Sequence, residues 1–427
     1  MSAHQLQAYE AALKEVQTHF HKELLPFWTE RGPDREFGGF LTYFDKDGKA
    51  TGETDKSFLS QARCIFTYAQ LHRAGYGGGK YLDYANQGFD FVLKHFWDAR
   101  HQGFYWITDR AGKPVNDTKI VYGHSFAIYG FAELALAGGD KRALEWAVKV
   151  FDLLQTHAAD SARGGYYEMY ERDWRLRPGG AYGGDRKTLD VHMHLMEAFT
   201  NLYAASRDDL HARKTREMVD LLLGKIYHPV FGTGIAQFAF DWEPLRAIIF
   251  KTVWGIDRDV SDPAGRPLDN TSYGHNVEFA WLLNWCLDTI GLNRVPYFEE
   301  LTKLYDHCVA YGVDWKKGGV FCEGPNRGAA RERNKEFWQQ AEGMVGLLDA
   351  CETFGPEKYW KAYENIHRFT LDVMVNHAVG EWWPLFDENN VRLYNHMSHA
   401  WKVNYHTVRA MVECEKRLKR LIAAAKK

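Results

Sequence analysis

Histidines and carboxylates recur at helical spacing in two stretches, DVHMHLMEA (190–198) and SYGHNVE (272–278). His275 and Glu278 stand three apart, so a helix presents them on one face. A carboxylate beside an imidazole fixes its tautomer and raises its proton affinity, and this pair is the best-formed dyad in the chain. In the first stretch Asp190 and His194 stand four apart and share a face, which is expected to look into a cavity. His192 and His194 lie about 200° apart around a helix and do not converge on one ion; His192 is expected to be a packed or interface histidine. Further polar groups sit in apolar runs: Arg63 in LSQARCIF, Tyr122 before Gly123 and His124, and Trp338 with Glu342 in EFWQQAEG. SHAWKVNYHTVRAM adds Trp401, Lys402, Tyr405, His406 and Arg409. A charge such as Arg63 on an apolar helix is costly unless paired or solvated by a cavity. It reads either as the partner of a structural carboxylate or as the holder of a substrate oxygen. Tyr122 reads equally as core or site.

Aromatic walls with a few convergent polar groups suit a carbohydrate. A glycosidase needs two carboxylates across the scissile bond, which here means two of Asp190, Glu278 and Glu342. A non-catalytic sugar-binding protein keeps the aromatics without needing two histidines. Proton transfer at a sugar carbon needs bases that work near neutrality, which is the range of histidine. The inward-facing set is richer in histidine than in isolated acids, so isomerisation or epimerisation is expected. No P-loop, GxGxxG, HExxH or GxSxG motif is present, and the Asp, Glu and His residues show no metal-ligand spacing. Neither a metal nor a cofactor is expected.

These residues must be positioned by a repeat. A Gly-aromatic-polar segment recurs six times, as in GGFLTYFDKDG, QGFYWITDRAG and GGYYEMYERDW. Marker glycines at 39, 103, 165, 234, 319 and 380 are separated by 64, 62, 69, 85 and 61 residues. Each segment reads as a short β-hairpin and is followed by two helical patterns, the first apolar on most sides and the second amphipathic. Six such pairs predict an all-α protein, an (α/α)6 barrel with short β-hairpins at one end, in which the helix from near His4 is the first outer helix. An open α-solenoid is the alternative. Residues 1–427 are read as a single catalytic domain. The enlarged interval carries an insertion at about 243–272 that includes Ile248, Ile249, Phe250 and Trp254, and it reads as an ordered lid.

The 53 Lys+Arg and 56 Asp+Glu give a net charge of −3, without the basic excess of a nucleic-acid binder. No run of apolar residues is long enough to span a bilayer. Residues 1–28 carry dispersed charges and no apolar core of a signal peptide, and the six cysteines form no CxxC pair. A cytoplasmic protein with reduced thiols is expected, with a small-molecule sugar as partner and neither nucleic acid nor membrane.

At these residues the sequence resembles the N-acylglucosamine 2-epimerase superfamily, which contains cellobiose 2-epimerases, mannose 2-epimerases and aldose–ketose isomerases of mannose. The likeness runs from QAR at Gln61 to WKVNYHTVRA at Trp401, and SYGHNVE, HMHLMEA and WKxxYH carry it jointly. The resemblance implies the (α/α)6 barrel and no metal or redox cofactor, and it leaves a homodimer open. It implies that His275 and His406 are the two acid/bases, with His194 supporting at the ring oxygen or O1. It further implies that Arg63 polarises substrate oxygens, Glu278 orients His275, and Trp338, Trp401 and Tyr122 form the sugar-stacking wall. Asp190 and Glu342 complete the expected substrate-binding set. The chain departs from the cellobiose enzymes at Asp190, where they have Asn, at Asn404 and Thr407, where they have Pro and Asn, and at Phe337, where they have Trp. It also carries the longer insertion before SYGH. These departures point to a monosaccharide, with D-mannose to D-glucose epimerisation expected first, cellobiose epimerisation second and mannose–fructose isomerisation third.

Overall fold

The apolar and amphipathic helical patterns sort into two concentric layers, because a helix that is apolar all round has to be buried on every side. The computed structural model describes residues 3–180, 183–250, 259, 261–262 and 264–426. The helices are α1 (Ala3–His19), α2 (Leu25–Arg31), α3 (Phe58–Arg73), α4 (Lys80–His95), α5 (Val121–Leu136) and α6 (Ala143–His157). They continue as α7 (Leu189–Ser206), α8 (Asp209–Leu221), α9 (Tyr273–Thr289), α10 (Phe298–His307), α11 (Phe337–Phe354), α12 (Pro356–Phe369) and α13 (Asn404–Ala425). A π-helical turn, Phe20–Leu24, joins α1 to α2.

The odd-numbered helices from α3 to α13 form the inner ring. Each packs on the next, and α13 returns to α3. The even-numbered helices from α4 to α12 cover them from outside, and α1 lies along α13. The ring is closed, so the fold is the (α/α)6 barrel and not an open solenoid. α1, the first outer helix in chain order, completes the outer ring against α13, as expected from the stretch near His4. All six cysteines are buried free thiols. Among the described residues no helix is long and apolar enough to cross a membrane.

The expected hairpins are present, and they do more than turn the chain. Within each, one residue pair bridges with the same spacing, for example Pro33 with Phe40, Trp97 with Phe104 and Val313 with Val320. The short strand ahead of each inner helix then pairs with the hairpin of the following unit. Lys56–Ser57 pairs with Ile107–Thr108, Lys119–Ile120 with Met169–Tyr170, and Lys335–Glu336 with Leu385–Phe386. His396–Ser398 closes the circle onto Phe44–Asp45. The rim is thus a second ring, stitched by backbone hydrogen bonds.

Buried ion pairs lock this rim. The lysine two residues before an inner helix binds an acid in the hairpin of its own unit: Lys56 to Asp34, Lys119 to Asp98, Lys187 to Asp160, Lys335 to Asp314 and Lys402 to Glu381. The fourth unit replaces the lysine with Thr271, whose hydroxyl donates to Gly234 O at 2.9 Å. A residue one turn into the inner helix completes each lock. Gln61 and Gln340 bind both the N–H and the carbonyl of the hairpin backbone. His124 and His192 accept the corresponding N–H of Phe104 and Tyr166 through Nε2. Gly165 is required at this contact: φ is 76°, and a Cβ would lie 2.7 Å from His192 Nε2. His192 is therefore a wall residue, as its position opposite His194 suggested.

Candidate active site

Each inner helix starts at the rim, so its first two turns face one end of the barrel. There they enclose a cavity of about 590 Å³. Arg63 comes from α3, Tyr122 from α5, Asp190 and His194 from α7, His275 and Glu278 from α9, Trp338 from α11, and His406 from α13 with Trp401 just before it; all line the cavity. Ile248, Ile249 and Phe250 from the start of the insertion, and Arg266 near its end, line it as well. Trp254 lies outside the described residues.

Arg63 is buried and pairs with no carboxylate among the described residues. Nη1 donates to Trp401 O at 3.0 Å and Nη2 to the Tyr122 hydroxyl at 2.9 Å. Its guanidinium lies over the rings of Phe126 and Tyr405, 4.4 and 4.9 Å from their centroids, and Nε has no partner. A cation held this way by neutral groups and π faces is suited to an oxyanion.

Asp190 joins two helices. Its Oδ1 is 3.5 Å from Nε2 of His194 and 3.5 Å from Nε2 of His275. Burial would raise this carboxyl, but His275, His194 and Arg63 hold it below its usual value. His194 Nδ1 is 2.8 Å from Glu197 Oε2. Glu197 is held down by Arg409 and His194 against the effect of its burial. It only accepts, so Nδ1 of His194 carries the proton.

His406 is set up in the same way from the other side. Its Nδ1 lies 2.7 Å from Glu342 Oε1. Burial raises the Glu342 carboxyl, but Arg409 and His406 bring it down to about 2. A carboxylate accepts and does not donate, so the proton sits on Nδ1 and Nε2 presents a lone pair. Burial pushes His406 itself down to about 3, despite the Glu342 bond, and it rests as a neutral base.

Two expectations need correction. Glu278 does not orient His275. Its Oε1 accepts from Arg409 Nη2 at 3.0 Å, and the carboxylate that meets His275 is Asp190. The i, i+3 spacing places both side chains on one face, but Glu278 is a turn deeper, where Arg409 reaches it. Burial and the nearby Glu342 push Glu278 well above the carboxylate range, against the pull of Arg409, so it holds its proton. Glu342 does not line the cavity. It stands behind His406, shared with Arg409 Nη2 at 2.6 Å and Trp281 Nε1 at 3.0 Å. Ligand atoms of Glu278, Glu342 and His406 do lie within 4.8 Å of one another. The Arg409 guanidinium already supplies the positive charge there, and His406 Nδ1 is spent on Glu342, so this trio does not suit a metal ion.

Arg409 is the hub that residue spacing alone did not single out. It binds Glu197 at 2.5 Å, Glu278, Glu342 and the Tyr405 hydroxyl. The available signal was its place one turn after His406, matching Glu197 one turn after His194. The three expected aromatics, Tyr122, Trp338 and Trp401, all line the cavity. Trp338 packs on His275 with centroids 4.6 Å apart and on His406 at 5.9 Å, and Tyr122 lies 5.8 Å from Trp401.

The sequence model of the N-acylglucosamine 2-epimerase (GlcNAc 2-epimerase) family matches residues 38–410, a span that holds every site residue from Arg63 to Arg409. The chain is 27% identical over 412 residues to a cellobiose 2-epimerase of Bacteroides fragilis, covering 95% of this chain and 98% of that protein. It is 28% identical over 390 residues to a D-mannose isomerase of Marinomonas mediterranea, covering 89% of this chain and 92% of that one. The structure of cellobiose 2-epimerase from Bacillus thermoamylovorans B4167 shares its fold, with a TM-score of 0.84 at 24% identity over 96% of this chain and 100% of that chain. The chain therefore belongs to the N-acylglucosamine 2-epimerase family, and it is a carbohydrate epimerase or isomerase.

Proposed function

We propose that the protein interconverts D-mannose and D-glucose by moving the proton on C2 through a cis-enediolate. The observation that carries this reading is the setting of two histidines against one indole. His406 turns an unprotonated Nε2 away from Glu342, while His275 meets the Asp190 carboxylate through its Nε2, and both rings lie against Trp338. His406 is prepared as a base, and His275 is the second imidazole that a two-base proton transfer requires.

Ring opening exposes the C1 aldehyde. One histidine takes the C2 proton, the electron pair of that bond moves into the carbonyl, and an enediolate forms with its negative charge on O1. Arg63, a buried cavity cation whose Nε has no partner, is assigned to that charge. Rotation about C2–C3 presents the opposite face, the second histidine returns a proton to C2, and the C1 carbonyl re-forms. Transfer of the O2 proton to O1 and return of the proton to C1 instead re-forms the carbonyl at C2 and gives fructose.

The choice of a monosaccharide rests on the insertion. Ile248, Ile249, Phe250 and Arg266 occupy cavity wall, and an insertion of that size takes up space that a second sugar ring would need. Cellobiose epimerisation is the second reading, and mannose–fructose isomerisation the third. A hydrolase is disfavoured, because Glu342 is behind His406 and Glu278 is tied to Arg409, which leaves Asp190 as the exposed acid of those three. The proposal treats residues 1–427 as one catalytic domain.

The test is incubation with D-mannose in D2O, followed by NMR. Glucose carrying deuterium at C2 is expected. Exchange with cellobiose but not with mannose would overturn the lid argument, and silence with both would overturn the reaction. Deletion of residues 251–269 probes the lid directly: a folded deletion variant that gains no disaccharide activity removes the steric argument.

A further inference from the structure

We propose that Glu336 is a positioning residue that holds the Trp338 indole between His275 and His406. The inference rests on the acid/base roles proposed for those two histidines.

Glu336 occupies the residue just before α11. The corresponding residues before the other inner helices are Ser57, Ile120, Thr188, Ser272 and Val403. Ser57, Thr188 and Ser272 turn their hydroxyls back to accept an N–H of the helix they precede. Glu336 has the same extended backbone, φ −89° and ψ 148°, yet its carboxylate caps nothing. The carboxylate goes instead to the indole two residues on. Trp338 Nε1 donates to Glu336 Oε2 at 2.5 Å.

That nitrogen is the only polar atom of the indole, and its bond fixes the ring plane. The ring lies against both histidines, so turning it would disturb the setting of both. A displacement of the order of 1 Å in a catalytic constellation costs heavily in rate. Glu336 also lines the cavity, at an end rich in acid. Glu323 and Glu332 face it from the fifth hairpin, with Arg266 bridging them at 3.2 and 3.4 Å. His275 faces it from α9, and Cys322 is the other ionisable neighbour. Burial, helped by Glu323 and Glu332, brings the carboxyl up to about 7 against the Trp338 bond and His275. Around neutrality the tether therefore passes from a neutral to a charge-assisted hydrogen bond, which is the stronger kind.

The experiment reads the tether with and without turnover. In the 15N-labelled protein, the Trp338 Nε1–H resonance, assigned by its loss in Trp338→Phe, is expected to titrate with a midpoint near 7. In Glu336→Gln, whose amide oxygen still accepts, it should no longer titrate, and kcat for C2 exchange should stay within about threefold. Glu336→Leu should lower kcat about 10- to 100-fold, the loss of one charge-assisted hydrogen bond, with less change in KM. Should Glu336→Leu not fold, Glu336→Asp carries the same expectation, since its carboxylate is one methylene short. A resonance that does not move between about pH 5.5 and 8.5, or equal kcat values in the Gln and Leu variants, overturns the proposal. If the wild type turns over no sugar, it is the proposed reaction that fails, and the indole titration alone decides the role of Glu336.

Discussion

Asp190 Oδ1 stands 3.5 Å from Nε2 of His275, although the two residues come from different helices and are far apart in sequence. The same oxygen is 3.5 Å from His194 Nε2, so one carboxylate serves two imidazoles. Asp190→Asn keeps the shape and removes the charge. The carboxylate borders the cavity rather than the packed core, so folding should be retained. The expected result is a fall in kcat of about 10- to 100-fold, the scale of a hydrogen bond to a charged group. Initial rates of C2 deuterium incorporation check it; an unchanged rate would remove Asp190 from the acid/base apparatus.

Glu342 and Glu278 both bind Arg409 Nη2, at 2.6 and 3.0 Å, but in different ionisation states. Glu342 is ionised and supports His406. Glu278 holds its proton because burial and Glu342 push it up. Glu278→Gln therefore replaces a neutral acid by a neutral amide and should cost about 1 kcal/mol or less. Glu342→Gln removes a buried charge that Arg409 and His406 rely on and should cost about 3–5 kcal/mol. It should also lower kcat about 100-fold, since His406 loses the partner that holds its tautomer. Urea unfolding of the two variants is the measurement, and equal losses would contradict the assignment of the proton to Glu278.

The barrel was legible in the chain because its repeat has a physical cause. Each unit needs a tight glycine turn, an aromatic strand and an apolar helix, so the six markers from Gly39 to Gly380 report the ring directly. The Asp190–His194 face was legible for the same reason: four residues make one turn. The pairing of Asp190 with His275 was not, since spacing within a helix says nothing of what a neighbouring helix presents at the same level. That is why Glu278 looked like the partner and Arg409, which gathers acids from α7, α9 and α11, was named without a role. The rim lysines left a signal that was overlooked. Lys56, Lys119, Lys187, Lys335 and Lys402 each stand two residues before an inner helix, and such regular charge beside an apolar run marks a buried pair.

Lys187 tests the importance of that rim. Its Nζ is fully buried and donates to Asp160 Oδ2 and to Gly164 O, both at 2.8 Å, and to Phe240 O at 3.0 Å. Lys187→Met leaves Asp160 as a buried charge without its main counter-ion and should cost about 3–5 kcal/mol. Adding Asp160→Asn should recover part of that loss, because the stranded charge goes with it. Denaturant unfolding of both singles and the double gives the coupling. Simple additivity would mean that the pair does not hold the rim.

His192 separates structural from catalytic histidine in one substitution. Its Nδ1 donates to Thr188 O at 2.7 Å and its Nε2 accepts from Tyr166 N at 3.0 Å. Glu168 lies 3.7 Å from Nδ1, but burial raises that carboxyl to about 8 and it lends the ring no charge at neutral pH. Burial pushes His192 down to about 4, so the native state keeps it neutral. The unfolded chain protonates it below about 6.5. In that window the unfolded state binds more protons, so stability must rise with pH. The native protein accordingly loses up to about 1.4 kcal/mol per pH unit at this residue as pH falls from about 6.5 toward 4, and no more below that. Gln61 and Gln340 make the same hairpin contact in other units without titrating. His192→Gln should therefore fold, keep kcat within about twofold, and unfold at nearly the same denaturant concentration as the wild type at pH 8. Its advantage should grow as the pH is lowered to 5. A variant that loses activity at neutral pH while remaining folded would place His192 in the chemistry rather than in the wall.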